Sequence, residues 1–248
     1  MERELGRLAA LIKASNRIVF FTGAGISTES GIPDFRSPGG LWEKNQPIEF
    51  SDFLASEEMR RESWRRKFAM DSVMSAAEPN AGHLAITELY RRGQVSKVVT
   101  QNIDGLQQLA GVDEKDVIEL HGNTTFAKCL DCGDRMSLKQ VKAVFAVNET
   151  LPECGRCGGI VKTATISFGQ PMPVRELQEA EKEAVACDLM IVAGSSLVVY
   201  PAADIPLIAR EAGAELVIIN REPTPLDPVA SLTIRGEIGK SLSAVTKP

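Results

Sequence analysis

Four cysteines stand in two C-x-x-C pairs, Cys129 with Cys132 and Cys154 with Cys157, with residues 133 to 153 between the pairs. Four thiolates at such spacing suit a tetrahedral zinc ion. A complete set of protein ligands leaves no open position for water, so the spacing predicts a structural metal. The intervening loop is longer than a zinc ribbon usually has, which costs little loop-closure entropy. A redox role for either pair would need a thioredoxin-like βαβ setting, which the surrounding sequence lacks. The fifth cysteine, Cys187, stands at the entrance to an apolar run and reads as a small buried hydrophobe.

Titratable and polar groups supply the second set of chemistry-bearing residues. His121 follows Val117-Ile118-Glu119-Leu120, and a histidine delivered by a strand end is placed for general-base work. The other histidine, His83, lies at a helix start in PNAGH and reads as structural. Asn102 and Asp104 fall just past another strand end, where a carboxylate could hold a cofactor amide or cap a helix. Gly23-Ala24-Gly25 gives the first part of G-x-G-x-x-G, in which missing side chains let backbone amides approach a pyrophosphate. Thr28 occupies the third glycine position, and the acidic residue expected after a second strand is absent.

Elements that could hold these groups are legible as short β-branched runs: Ile18 to Phe21, Val95 to Val99, Val117 to Leu120, Leu189 to Ala193 and Leu216 to Ile219. Helix-like stretches mostly separate them, a pattern that predicts an α/β fold, a doubly wound parallel sheet of Rossmann type. Each run ends in small or polar residues, and ligands of open α/β sheets bind outside the carboxyl ends of the strands. Two stretches break the alternation. Residues 39–79 read as a helical insertion, and residues 126–161 as a zinc-ribbon module too poor in apolar residues to fold without its metal. These form a smaller inserted domain, leaving 1–38, 80–125 and 162–248 as the dinucleotide-binding domain.

Composition narrows the function. The 248 residues are 44% apolar and 25% charged, as expected of a folded globular chain. A net charge of −5 argues against direct nucleic-acid binding, which needs a basic surface to displace phosphate counterions. It suits a lysine-bearing peptide better. The opening MERELGRLAALIKASNRIVFF predicts a charged amphipathic helix and a strand, not a signal peptide, and no apolar run approaches the ~18 residues of a membrane span. A cytoplasmic enzyme with reduced thiols is the expectation.

The segments GAGISTESGIPDFR (Gly23 to Arg36), TQNIDGLQQLAG (Thr100 to Gly111), ELHG (Glu119 to Gly122), the paired cysteines, FGQPMP (Phe168 to Pro173), GSSLVVYPAA (Gly194 to Ala203) and Asn220 follow one another as in the sirtuin family, and the resemblance covers nearly the whole chain. It implies NAD as co-substrate. Gly23, Ala24, Asp34, Phe35 and Arg36 resemble the cofactor loop; Gln101, Asn102, Ile103 and Asp104 the nicotinamide pocket; Gly194, Ser195, Ser196 and Asn220 the groups for phosphate and adenosine ribose. Gly236, Glu237 and Ile238 are a looser match to the adenine side. Ile166, Phe168 and Gly169 resemble a strand that pairs with the substrate peptide and walls the acyl-lysine tunnel.

The activity implied by the resemblance is protein-lysine deacetylation or deacylation. In the family, the acyl carbonyl oxygen attacks the nicotinamide ribose, nicotinamide leaves and an alkylimidate forms. His121 is then the base toward a ribose hydroxyl, and water completes the route to O-acyl-ADP-ribose and free lysine. Mono-ADP-ribosylation would use the same pocket, and a non-catalytic NAD sensor would need neither His121 nor the complete pocket. The chain departs from the family at Gln107, which replaces a common histidine; at Gln170, which replaces a common acid; at Lys162-Thr163, which replace a frequent Arg-Pro; and at Ser167, where a bulky residue is usual. Its two tyrosines, Tyr90 and Tyr200, are not placed for the device that reads acidic acyl groups.

Overall fold

The computed structural model describes residues 2–34 and 46–246. Helix α1 (Glu2–Ala14) buries Leu8 and Ile12, one turn apart on a single face. Strand β1 (Ile18–Thr22) follows, and all five of its residues are buried. A strand apolar on both faces belongs at the centre of a covered parallel sheet. The sheet is completed by β2 (Val95–Thr100), β3 (Val117–Glu119), β7 (Leu189–Ala193), β8 (Glu215–Ile219) and β9 (Leu232–Ile234), all parallel, in the order β3-β2-β1-β7-β8-β9.

Side-chain alternation along β1 divides the core. Ile18 and Phe20 join the cluster under α1, α4 (Ala81–Arg91) and α9 (Ile238–Thr246), while Val19 and Phe21 join the cluster under α7 (Val174–Ala186) and α8 (Asp204–Glu211). The chain winds outward from β1 to β3, then returns to place β7 on the other side of β1. The boundary between β1 and β7 is thus the topological switch point, where a doubly wound sheet opens its ligand crevice.

A second, antiparallel sheet contains β4 (Gly122–Cys129), β5 (Arg135–Ser137) and β6 (Val161–Thr165), in the order β5-β4-β6. Around it lie α2 (Phe50–Ala55), α3 (Glu57–Ala76) and α6 (Leu138–Phe145). The hydroxyl of Ser56 caps α3 by accepting from the Met59 amide at 3.3 Å. Trp64, 1% exposed, carries α3 into a cluster with Ala127, Cys129, Val141, Phe145, Cys154 and Val161. The helical insertion and the cysteine module therefore share one core. Arg65 reinforces the union with two bonds to the Glu149 carboxylate.

The short helix α5 (Leu106–Ala110) and a 3-10 helix at Ala24–Ser30 complete the surroundings of the crevice. No helix of the described residues is long and apolar enough to cross a membrane.

Candidate active site

Three strand ends are laced together at the switch point. The Gly23 amide donates to the Ala193 carbonyl at 3.1 Å, Gly25 to Gly194 at 2.9 Å, and Gly194 to Ile219 at 2.9 Å. A Cβ on Gly23 would lie 2.7 Å from the Gly194 carbonyl oxygen, and one on Gly25 2.8 Å from the Gly194 Cα. Gly194 itself has φ +73°, in the left-handed region. The loops after β1 and β7 approach so closely that only glycine fits between them. The glycine spacing read from the sequence as a phosphate loop thus also has a packing cause.

From β2 the chain delivers Gln101, Asn102 and Asp104. The Asp104 carboxylate can only accept, so the Ser27 hydroxyl donates to it at 2.7 Å. Ser27 must then accept from Asn102 Nδ2 at 3.1 Å, while the same amide donates to the Gly23 carbonyl at 3.1 Å. With both amide protons committed, Asn102 presents its carbonyl oxygen as an acceptor. Asp104 also receives the Leu106 amide at 2.9 Å, so it caps the start of α5 as well as fixing Ser27. Gln101 Nε2 donates to the Ser195 hydroxyl at 2.7 Å, joining the end of β2 to that of β7.

His121 lies between β3 and β4, with Nδ1 3.0 Å from the Gln101 carbonyl oxygen. A carbonyl has no proton to give, so the neutral ring is protonated at Nδ1 and carries its basic lone pair on Nε2. Just before it, the Glu119 carboxylate accepts from Gln108 at 2.8 Å and from Asn123 at 2.7 Å. Burial nonetheless holds its pKa above the usual value.

These groups line a cavity of about 1110 Å³. It brings together Gly23, Ala24, Asp34, Gln101, Asn102, Ile103, His121, Ile166, Phe168, Gly169, Gly194, Ser195, Ser196, Asn220 and Ile238, with Gly236 and Glu237 at the far end. Its volume exceeds the ~300–1,000 Å³ of a typical single-ligand pocket. A smaller cavity of about 240 Å³ shares Ala24, Asn102, Ile103 and Thr165 with it, and is lined also by Asp104, Ser27, Met70 and Met74. Phe35 and Arg36, also read as cofactor-loop residues, lie outside the described residues.

Ile166, Phe168 and Gly169 differ from expectation in form. The strand ends at Thr165, and the three follow it in irregular chain, with Gly169 at φ +75°. The Ile166 amide reaches the His121 carbonyl at 2.8 Å and the Phe50 amide reaches the Phe168 carbonyl at 2.8 Å, so the segment is fixed without being part of the sheet. Sequence reasoning missed Ser27 and Glu29. Glu29 accepts the Gly239 amide at 2.9 Å, anchoring the start of α9 beside the cavity. Both residues stand inside the motif GAGISTES, and that position was the only signal available.

The four paired cysteines converge, with their sulfurs all within 4.8 Å of one another. Tetrahedral zinc–thiolate geometry requires S···S separations of about 3.8 Å. Cys129 to Cys157 and Cys132 to Cys154 each measure 3.6 Å, so the donor set and its shape fit one zinc ion. Cys187 is buried away from them and donates to the Ala184 carbonyl.

Residues 23–201 match the model of the Sir2 family. This chain belongs to the Sir2, or sirtuin, family. Its Sir2 relatives include an NAD-dependent protein deacetylase of Rhodopseudomonas palustris, 54% identical over 95% of this chain and 93% of the relative. An NAD-dependent protein deacylase of Archaeoglobus fulgidus is 44% identical over 100% of this chain and 96% of its own. Among solved structures, a Sir2 enzyme with a p53 peptide and NAD+ superposes with a TM-score of 0.86 at 36% identity, covering 97% of this chain and 96% of that one. A Sir2 variant with deacetylated p53 peptide and 3′-O-acetyl ADP ribose gives 0.88 at 35% identity, covering 98% and 97%.

Proposed function

We propose that this chain is an NAD-dependent protein-lysine deacylase, moving the acyl group to ADP-ribose and releasing nicotinamide and free lysine. The observation that carries the reading is the placement of His121. Its Nδ1 is committed to the Gln101 carbonyl, in a cavity lined also by Asn102 and by Ile166 to Gly169.

The family resemblance assigns the residue roles, and the lining of the cavity supports them. Gly23, Ala24, Asp34, Gly194, Ser195, Ser196, Asn220 and Ile238 hold NAD, with Phe35 and Arg36 assigned to it by motif alone. Gln101, Asn102, Ile103 and Asp104 take its nicotinamide end, where Asn102 offers an acceptor to the carboxamide. His121 Nε2 takes a proton from a ribose hydroxyl, the step suited to a neutral imidazole with its lone pair on that nitrogen. Ile166, Phe168 and Gly169 line the acyl-lysine site, and apolar walls there keep water from the reacting centre. Zinc at Cys129, Cys132, Cys154 and Cys157 holds the small domain together and takes no part in the chemistry, since four thiolates close its coordination.

The same reading divides the chain into a dinucleotide-binding domain, 1–38, 80–125 and 162–248, and a small domain, 39–79 and 126–161. The shared core of Trp64 with Cys129 and Cys154 supports the pairing of the two insertions. Reduced thiols ready for zinc suit a cytoplasmic enzyme. The net charge of −5 suits a basic peptide partner over nucleic acid. The test is release of nicotinamide from NAD, measured with and without acetyl-lysine peptide. Release that depends on the peptide supports the reading, and release that ignores it points to hydrolysis of NAD or ADP-ribosyl transfer instead.

A further inference from the structure

Lys162 is a lysine in an unusual place. It lies in β6, 3% exposed, and makes no ion pair among the described residues. Its Nζ donates to the Thr165 carbonyl at 2.6 Å, is 3.5 Å from the Thr165 hydroxyl, and stands 5.9 Å from the centre of the Phe53 ring. Burying an ammonium without a carboxylate is costly. Burial pulls its pKa down to about 8, which still leaves the group charged at neutral pH.

The bond to Thr165 gains meaning from what lies across the same peptide plane. The carbonyl of Thr165 and the amide of Ile166 belong to one peptide unit, and the Ile166 amide donates to the His121 carbonyl at 2.8 Å. One rigid plane is therefore held on one side by a buried cation and on the other by the backbone of the base. A cation on the carbonyl polarises the amide and strengthens the bond that it donates. Thr165 lines both cavities, and Ile166 and Phe168 line the larger one. Phe53, beneath the ammonium, belongs to α2, whose Phe50 amide holds the Phe168 carbonyl.

We propose that Lys162 is a positioning residue for the acyl-lysine site: its ammonium clamps the Thr165–Ile166 peptide plane and so sets the wall from Ile166 to Gly169 against the backbone of His121. The proposal rests on the deacylase reading for its kinetic consequence and on geometry alone for its structural one. The clamp needs a cation that can donate to the Thr165 carbonyl, not lysine in particular.

The test uses the full chain carrying K162M, of similar length but without charge, and K162R. Steady-state rates against acetyl-lysine peptide and against NAD are measured for each, with amide hydrogen exchange over residues 164–168. For K162M, loss of a charge-assisted bond raises the peptide KM roughly tenfold to a hundredfold, while the NAD KM stays within about twofold. Exchange at the Ile166 amide accelerates with it, and K162R restores both. A peptide KM and Ile166 exchange unchanged in K162M, or a loss that K162R does not rescue, overturns the clamp. If the native chain does not deacetylate the peptide, the deacylase reading fails, and Ile166 exchange alone still decides the clamp. K162Q replaces K162M under the same criteria should K162M not fold.

Discussion

His121 Nδ1 lies 3.0 Å from the carbonyl oxygen of Gln101, and this contact decides which ring nitrogen can serve as the base. Because Nδ1 must donate there, Nε2 has the lone pair. His121→Asn retains a donor near the Nδ1 position and removes the base. Its kcat falls about a hundredfold to ten-thousandfold, while NAD affinity by calorimetry stays near that of the native chain. A variant that keeps native kcat contradicts the assignment of the base.

Ser27 is the pin of the nicotinamide pocket. Its hydroxyl joins Asn102 to Asp104, and the residue is 1% exposed. Ser27→Ala leaves the carboxylate short of a charge-assisted bond and frees the Asn102 amide to turn. Stability falls by about 1.5–3 kcal/mol and the KM for NAD rises. Urea denaturation and kinetics measure the two effects together. An unchanged NAD KM with the expected loss of stability restricts Ser27 to a structural role.

The zinc site and Trp64 share a core, so metal removal reports through the indole. One zinc per chain is expected by elemental analysis. Chelation in a Trp42→Phe background shifts Trp64 emission toward that of an exposed indole and lowers the melting temperature. A chain that keeps its melting temperature and Trp64 emission without metal would place the stability of this module elsewhere.

His83 gives a pH dependence with a definite sign. Its ring is buried at the start of α4, where Nδ1 accepts from the Asn80 amide at 3.3 Å, and burial lowers its pKa from 6.5 to about 4. Between those values the unfolded chain binds a proton that the folded chain refuses. Its contribution is present above pH 6.5 and lost as pH falls through about 4, on the order of 3 kcal/mol in full. His83→Gln keeps an acceptor at the third helical position and cannot titrate. Melts in this window show the native chain losing more stability than the variant, and parallel curves would refute the role of His83.

What the sequence made legible depended on how local the cause was. The four longer parallel strands, β1, β2, β7 and β8, and the short β3 announced themselves through β-branched runs, which in β1 and β7 are buried on both faces. Strand β9 has three residues and no such run, and it exists because β8 offers an edge to pair with. Strands β4 and β6 straddle the edges of the cysteine module and were not legible, since GNTTFAKC and VKTAT owe their place to Trp64 and the cysteine cluster more than to their own pattern. At the site, Asn102, Asp104 and His121 were visible by residue type and position after a strand. Ser27 was not, because its two partners lie 75 and 77 residues away and meet it only when β1 and β2 pair. Ile166 to Gly169 leave the sheet because the chain turns there, with the Gln170 amide donating to the Ser167 carbonyl at 3.0 Å and Gly169 at positive φ.

Deacylation through His121 is tested by mass spectrometry of an acetyl-lysine peptide incubated with NAD and either the native chain or His121→Ala. Deacetylated peptide and O-acetyl-ADP-ribose are expected in equal amounts from the native chain, and neither from the variant. Deacetylated peptide with free acetate in place of O-acetyl-ADP-ribose, or equal product from both proteins, would contradict it.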